Sequence, residues 1–403
     1  MRLWRTAWWR RQPRRESFTE VWYRTLSRRV VELTADGVDE KSAAQRAAEA
    51  GQRALGQMAP ELADRLIRES PAEARRLRRQ HNAFKRRPRV YWGSSLDLMW
   101  SMIDHHENLG AHYTQNKDQP EPHPRPVLEN ALSSLHARAC RTAFEVHHLL
   151  ATGLGSGALA RCRTLHEIAV TATVLNDYSR KPEHADLAER FIRHADAVRF
   201  SEATTYDEHA EALGFPPLSP EDVAAARTDR DELRVRFGAD FDSENGWAIG
   251  LDGKSGKVTF RALEKLSGID HLRPYYRFSS HQVHGGSRGA AFTTVSQGGR
   301  EVKLSGYSNA DVTDPAQLAL ISLHQVTTAT LLSADLPQPG DVLMLEVLST
   351  MLDEALAELG RAQDRLDDDE DRVLAGLDAP ARLARVRDVI RAGKARITSR
   401  GQV

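Results

Sequence analysis

The chain has 403 residues, of which 40% are hydrophobic, 28% charged and only 6% aromatic. This is a water-soluble composition that favours helices over sheets, and its two cysteines, Cys140 and Cys162, exclude a disulfide scaffold and a Cys-rich zinc site and suit a reducing cytosol. Basic and acidic residues balance at 56 each, yet residues 1–92 hold 22 Lys and Arg against 11 Asp and Glu while the remainder holds 34 against 45. A basic end on an acidic body points to an anionic partner such as RNA, or to an internal electrostatic dock.

Residues 1–15 mix Trp with Arg and close on Pro13, which predicts a loosely docked tail. The basic Met1–Arg5 is followed by no apolar run or small-residue cleavage site, so no secretory signal is expected. No apolar stretch reaches the roughly 18 residues of a membrane span, and the expected location is cytoplasmic. Over 16–36, Phe18, Val21, Trp22, Leu26, Val30 and Leu33 recur at three and four, the mark of an amphipathic helix. Helices are predicted at 39–58, 61–69 and 72–86, with Pro60, Pro71 and Pro88 near their starts or ends. Residues 75–89 are the densest basic stretch and offer phosphate contacts. A longer helix follows at 91–116, with Asp104-His105-His106-Glu107 expected on its surface face.

The Pro-rich segment 119–126 reads as a domain boundary that closes a basic helical N-terminal extension over 1–118. Helices at 127–152 and 157–178, joined by Gly153-Leu154-Gly155-Ser156-Gly157, predict an antiparallel helical hairpin. Further helices are expected at 183–213, 219–237, 258–266 and 270–284, with Gly238–Gly256 irregular. Residues 290–309 change to strand-like alternation around Gln297-Gly298-Gly299. Helices at 314–333, 339–373 and 379–393 close the chain. The predicted class is all-α: a helical bundle built on the central hairpin, with a small β-hairpin insertion near 290–305. The central domain spans 125–290, and 291–403 holds the insertion and the C-terminal helices.

The two hairpin helices echo each other at an offset of 22: Arg138-Ala139-Cys140-Arg141-Thr142-Ala143-Phe144-Glu145-Val146 aligns with Ala160-Arg161-Cys162-Arg163-Thr164-Leu165-His166-Glu167-Ile168. Arg141 and Glu145, like Arg163 and Glu167, stand four apart and meet on one helix face. Turned outward they brace their helices; turned inward they would form a buried charge cluster, costly unless fully paired and therefore a candidate site.

Leu154–Glu167 resembles the signature of an uncharacterised bacterial family, domain of unknown function 5677. Asn245-Gly246-Trp247-Ala248 and the run Tyr275–His284 resemble its other two landmarks. The resemblance covers about residues 125–290 and implies a grouping and a fold more than an activity. The hairpin is also similar to the HEPN superfamily of helical bundles, many of whose active members are metal-independent ribonucleases with an Arg, four to six intervening residues, and a His. Arg161 and His166 fit that spacing. The likeness implies an RNA-directed effector in defence or toxin activity. His166 would be general acid or base on the ribose 2′-hydroxyl or the leaving oxygen, Arg161 or Arg163 would hold the phosphate, and Glu167 would orient an Arg or the imidazole.

Other readings stand beside this one. Tyr276, Ser280 and His284 form one helical stripe, with Arg277 and His281 on the neighbouring one; they are either a binding site or a hydrogen-bond network tying their helix to the hairpin. His284 and His166 are expected to face one pocket, with Arg163 and Glu167 between them. A metal could use His281 and His284, or Glu145 and His148, but a di-metal site needs a second Glu-x-x-His and further carboxylates, so no metal and no cofactor is expected. Cys162 beside Arg161 and Arg163 is a candidate nucleophile or a packing residue. The alternative to an enzyme is a non-enzymatic helical binding protein with a structural polar core; a homodimer fits either.

Overall fold

The computed structural model describes residues 18–86, 88–115, 125–253, 256–297, 300–334 and 337–375, and the chain divides into two compact units after Asn82. The first unit holds α1 (Phe18–Ala35) and all but the last turn of α2 (Glu40–Lys85). Small residues let these two helices approach: Ala43, Ala47 and Gly51 are buried, and a side-chain carbon at Gly51 would stand 2.9 Å from Leu26 and 3.0 Å from Trp22.

Three helices were expected where α2 is one helix of 46 residues with Pro60 and Pro71 inside it. A proline removes the bond to the carbonyl four residues back and crowds it. The carbonyl freed by Pro71 belongs to Ile67 and accepts instead from Ser70 Oγ at 2.8 Å. The one freed by Pro60 belongs to Gly56, where no neighbour crowds the backbone. Local repair of this kind lets the helix run on.

The second unit is a helical bundle. It comprises α3 (Pro88–Gln115), α4 (Pro126–Ala151), α5 (Gly155–Tyr178), α6 (Leu187–Leu213), α7 (Pro220–Phe237), α8 (Phe260–Ser267), α9 (Arg273–Val283), α10 (Ser287–Ala291), the strands β1 (Thr294–Gln297) and β2 (Arg300–Lys303), α11 (Thr313–Leu331) and α12 (Pro339–Ala375). The strands pair antiparallel with Thr294 opposite Lys303. α11 is buried on nearly every side, which its run of Ala, Leu, Val and Thr permits, and it packs on α3, α4, α5 and α12. Trp92, Met99, Met102, Ile103, Leu128, Leu132, Leu150, Leu165 and Leu175 fill the shared core. α6 and α7 form a side hairpin, and α8 and α9 lie on the outer face of α5.

The sequence set a boundary at 119–126; here α3 packs on α4, α11 and α12 inside one unit that opens at Ala83. The Pro-rich stretch therefore joins two helices of one bundle. The residues expected as one helix over 183–213 divide into a 3-10 turn at Pro182–His184, which ends at Ala185, and α6, which starts after Asp186. His106 was expected on the surface; it is fully buried, its Nδ1 2.7 Å from the Met102 carbonyl and its Nε2 3.4 Å from His324 Nδ1. The tail at 1–15 and the helix at 379–393 lie outside the described residues, among which no helix is long and apolar enough to cross a membrane.

Candidate functional site

α4 and α5 run antiparallel through the short link Thr152–Leu154, with Gly153 in the left-handed region at φ 80°. Their echoed cysteines point inward. Cys162 Sγ donates to the Pro315 carbonyl at 3.1 Å, burial pushes its thiol up, and burial likewise takes Cys140 up to about 12. Both are buried packing residues, with the opposite of the lowered pKa a nucleophile needs.

The echoed charges point elsewhere. Glu145 on α4 is ion-paired with Arg161 of α5 at 2.6 Å and stands 3.8 Å from Arg141 of its own helix, at a surface where the Arg141 side chain is 85% exposed. Arg161 also reaches Thr142 Oγ1 at 3.5 Å. This trio clamps the two helices together. As a half-exposed pair it adds about 0–1 kcal/mol.

Two residues on, about 200° around α5, Arg163 is the centre of a second network. Its Nε donates to Glu167 Oε1 at 3.0 Å, its Nη1 lies 3.1 Å from His284 Nε2, and its guanidinium carbon sits 5.0 Å from the centre of the Tyr276 ring. Tyr276 donates its hydroxyl to the same Glu167 oxygen at 2.9 Å. Burial, and then the Glu167 carboxylate, push the Tyr276 phenol up to about 12, so it remains a donor at neutral pH. His284 is the residue that ends α9, with extended backbone, and is exposed. The structure thus brings together Arg163, Glu167, Tyr276 and His284.

His166 is not part of that surface. It is fully buried, and its Nε2 lies 3.2 Å from Oε1 of Glu264, which is also fully buried. The other Glu264 oxygen is ion-paired to Arg273, itself 31% exposed. Phe260 and Tyr276 close over the imidazole with ring centres 6.1 and 5.6 Å away. The expected shared pocket of His166 and His284 is therefore corrected: α8 stands over His166, while His284 contacts Arg163 at the surface. Arg161 and His166 likewise serve different partners, Glu145 and Glu264.

Ser280 donates to the Tyr276 carbonyl at 2.9 Å, a bond within its own helix. His281 packs its ring 6.4 Å from Phe292. Among the described residues neither side chain is hydrogen-bonded to Arg163, Glu167 or His284. No group of three or more His, Cys, Asp or Glu is placed to hold a metal ion among the described residues. His147 is committed to the Leu96 carbonyl and His148 to that of Phe144.

The third sequence landmark is structural. A side chain at Gly246 would clash with the Phe241 carbonyl, Asn245 Nδ2 donates to the Val258 carbonyl at 3.1 Å, and Trp247 is buried edge-on to Phe191. Two members of the buried network escaped the sequence reading, Glu264 and Arg273. The signal was available: Phe260, Leu263, Glu264 and Ser267 share one face of α8, so an acid sits in an apolar stripe.

The fold and these networks define a mainly helical protein with a buried His–Glu pair capped by Arg273 and a surface Arg–Glu–Tyr–His cluster. Residues 129–299 match the Family of unknown function (DUF5677), a span that holds all three landmarks and every residue of the two networks. No curated protein and no solved structure matches the chain.

Proposed function

We propose that the chain is a helical interaction protein in which the polar residues of the central hairpin form a structural frame. The observation that supports this reading is the sealing of His166 against Glu264, both without solvent exposure. A general acid or base must come within hydrogen-bond reach of the proton it moves, and α8 stands between His166 and any substrate. The partner we propose is anionic, RNA first, met by the exposed Arg75, Arg78 and Arg79 of α2; two buried free thiols suit work in a reducing cytoplasm. The test is incubation with RNA without added metal, for the wild type and His166→Ala. RNA left intact by both, with a lowered melting temperature in the variant, supports the frame. Cleavage that His166→Ala abolishes while its fold persists sinks it.

A second reading rests on one contact, the 3.1 Å approach of Arg163 Nη1 to the exposed His284 Nε2. In a HEPN-like, metal-independent RNA-cleaving effector, His284 in place of His166 would accept the 2′-hydroxyl proton. Arg163, steadied by Glu167 and Tyr276, would stabilise charge growing on the phosphate. Metal-free cleavage lost in His284→Ala and kept in Ser280→Ala would favour this reading over the first.

A further inference from the structure

The layer that covers α5 is charged against the trend of its surroundings. Residues 260–300, from the start of α8 to the second strand, hold 6 Lys and Arg against 2 Asp and Glu, whereas 93–403 holds 34 against 45. One of the two acids, Glu264, is buried and ion-paired to Arg273, which leaves Asp270 as the carboxylate this stretch exposes. The basic side chains stay outside. Arg261 and Lys265 stand four apart on α8, Arg277 is on α9 and Arg288 on α10. All four are exposed, and none has an ion pair or hydrogen bond with another described residue. Elsewhere in the same unit exposed arginines are neutralised, Arg236 by Glu189, Arg199 by Asp229 and Arg361 by Glu354 and Glu358.

These residues belong to one layer. The Phe260 and Tyr276 rings lie 4.8 Å apart and Glu264 pairs with Arg273, which sets α8 beside α9. α10 folds back on the end of α9, where a side-chain carbon at Gly289 would collide with the His281 carbonyl, so Arg288 stands beside the end of α9. Arg163 of α5 reaches the same end through its contact with His284. We propose that this layer of α8, α9 and α10 is an RNA-binding surface that holds the phosphates of the strand. The inference rests on the anionic partner of the preceding section and adds to α2 a contact on the central bundle. Cations gathered without carboxylates among them repel one another and complement a run of like negative charges. A protein surface, by contrast, intersperses both signs. Three of the four side chains are Arg, whose planar fork matches phosphate oxygens two at a time.

The full chain and a fluorescent single-stranded RNA test this by anisotropy over a salt series. Each phosphate contact contributes about 0.7 to the slope of log affinity against log salt for single strands. Arg261→Ala, Lys265→Ala, Arg277→Ala and Arg288→Ala together should therefore lower the slope by about 3. The melting temperature should hold, because none of the four has a partner to lose. A second variant, Arg75→Ala with Arg78→Ala and Arg79→Ala, tests the α2 contact by itself. A slope that responds to the α2 variant and not to the four-residue variant overturns this inference and leaves the α2 contact standing; a slope that responds to the four-residue variant supports it, whatever α2 does. A wild type with no measurable affinity for RNA overturns both. Displacement of the RNA by polyglutamate or by anionic lipid vesicles as readily as by unlabelled RNA assigns the surface to another class of partner and overturns it too.

Discussion

Truncating Glu264 to Ala removes the carboxylate that faces His166 Nε2 and Arg273. Removing one member of a buried ion pair costs about 3–5 kcal/mol, because the other is left buried without compensation. Arg273 is 31% exposed and can turn to water, which places the cost near the lower end, about 3 kcal/mol. Domains of this size lose about 2–4 °C of Tm per kcal/mol, so Glu264→Ala should melt about 6–12 °C below the wild type by circular dichroism. Replacing the pair together, His166→Leu with Glu264→Leu, removes both polar groups and should recover much of that loss. The cycle of single and double variants should therefore show a coupling of at least about 1 kcal/mol. A Glu264→Ala protein within about 0.5 kcal/mol of the wild type, as at an ordinary surface position, or strictly additive variants, would refute the reasoning and reopen α8 as a loosely held cover.

Acid should destabilise the bundle before its carboxylates titrate. Burial lowers His106 to about 3 and His136 and His147 to about 4, from an ordinary value of 6.5. The unfolded chain takes up these protons near pH 6.5 and the folded one does not until pH 3–4, so the stability they contribute is complete above 6.5 and falls as pH drops through that window. Each costs about 1.4 kcal/mol per pH unit, and urea midpoints at pH 7 and pH 5 should differ accordingly; equal midpoints would contradict it. Gly110→Ala would drive a carbon to 2.2 Å from the His136 ring and should cost about 1–3 kcal/mol, checked by thermal melting. Tyr276→Phe deletes the bond to Glu167 and should cost about 1–2 kcal/mol without unfolding the chain. A thiol reagent should leave Cys140 and Cys162 untouched in the native protein and label both in denaturant; labelling of native Cys162 would restore it as a nucleophile.

The helices with one apolar face and short links were legible in the sequence. α4 and α5 each start within two residues of the expected position, because Pro126 and the glycines around 153–157 punctuate periodic apolar runs. Proline misled in α2, where Ser70 and Gly56 absorb the disruption; propensity describes a residue and not the neighbour that rescues its carbonyl. Proline misled again at 119–126, since a break in the chain says nothing of whether α3 packs on α4. The buried histidines were illegible for a related reason. His106 lies among Asp104, His105 and Glu107, and only the arrival of α11 with His324 makes its side of α3 an inside.

The candidate site was half legible, and the helix explains which half. Residues four apart meet, so the Arg163–Glu167 pair follows from spacing alone. Residues five apart stand about 140° from each other on an α-helix, so on one straight helix Arg161 and His166 must serve different neighbours. They do, Arg161 turning to Glu145 of α4 and His166 to Glu264 of α8. An Arg–His spacing of this kind can mark a two-residue site only if a substrate spans the helix or another element bends to collect both side chains. The Arg and His that do touch, Arg163 and His284, are 121 positions apart; their contact depends on α9 docking against α5 and ending where His284 can turn back. Any chemistry at this hairpin therefore has to be sought in what α9 brings to α5.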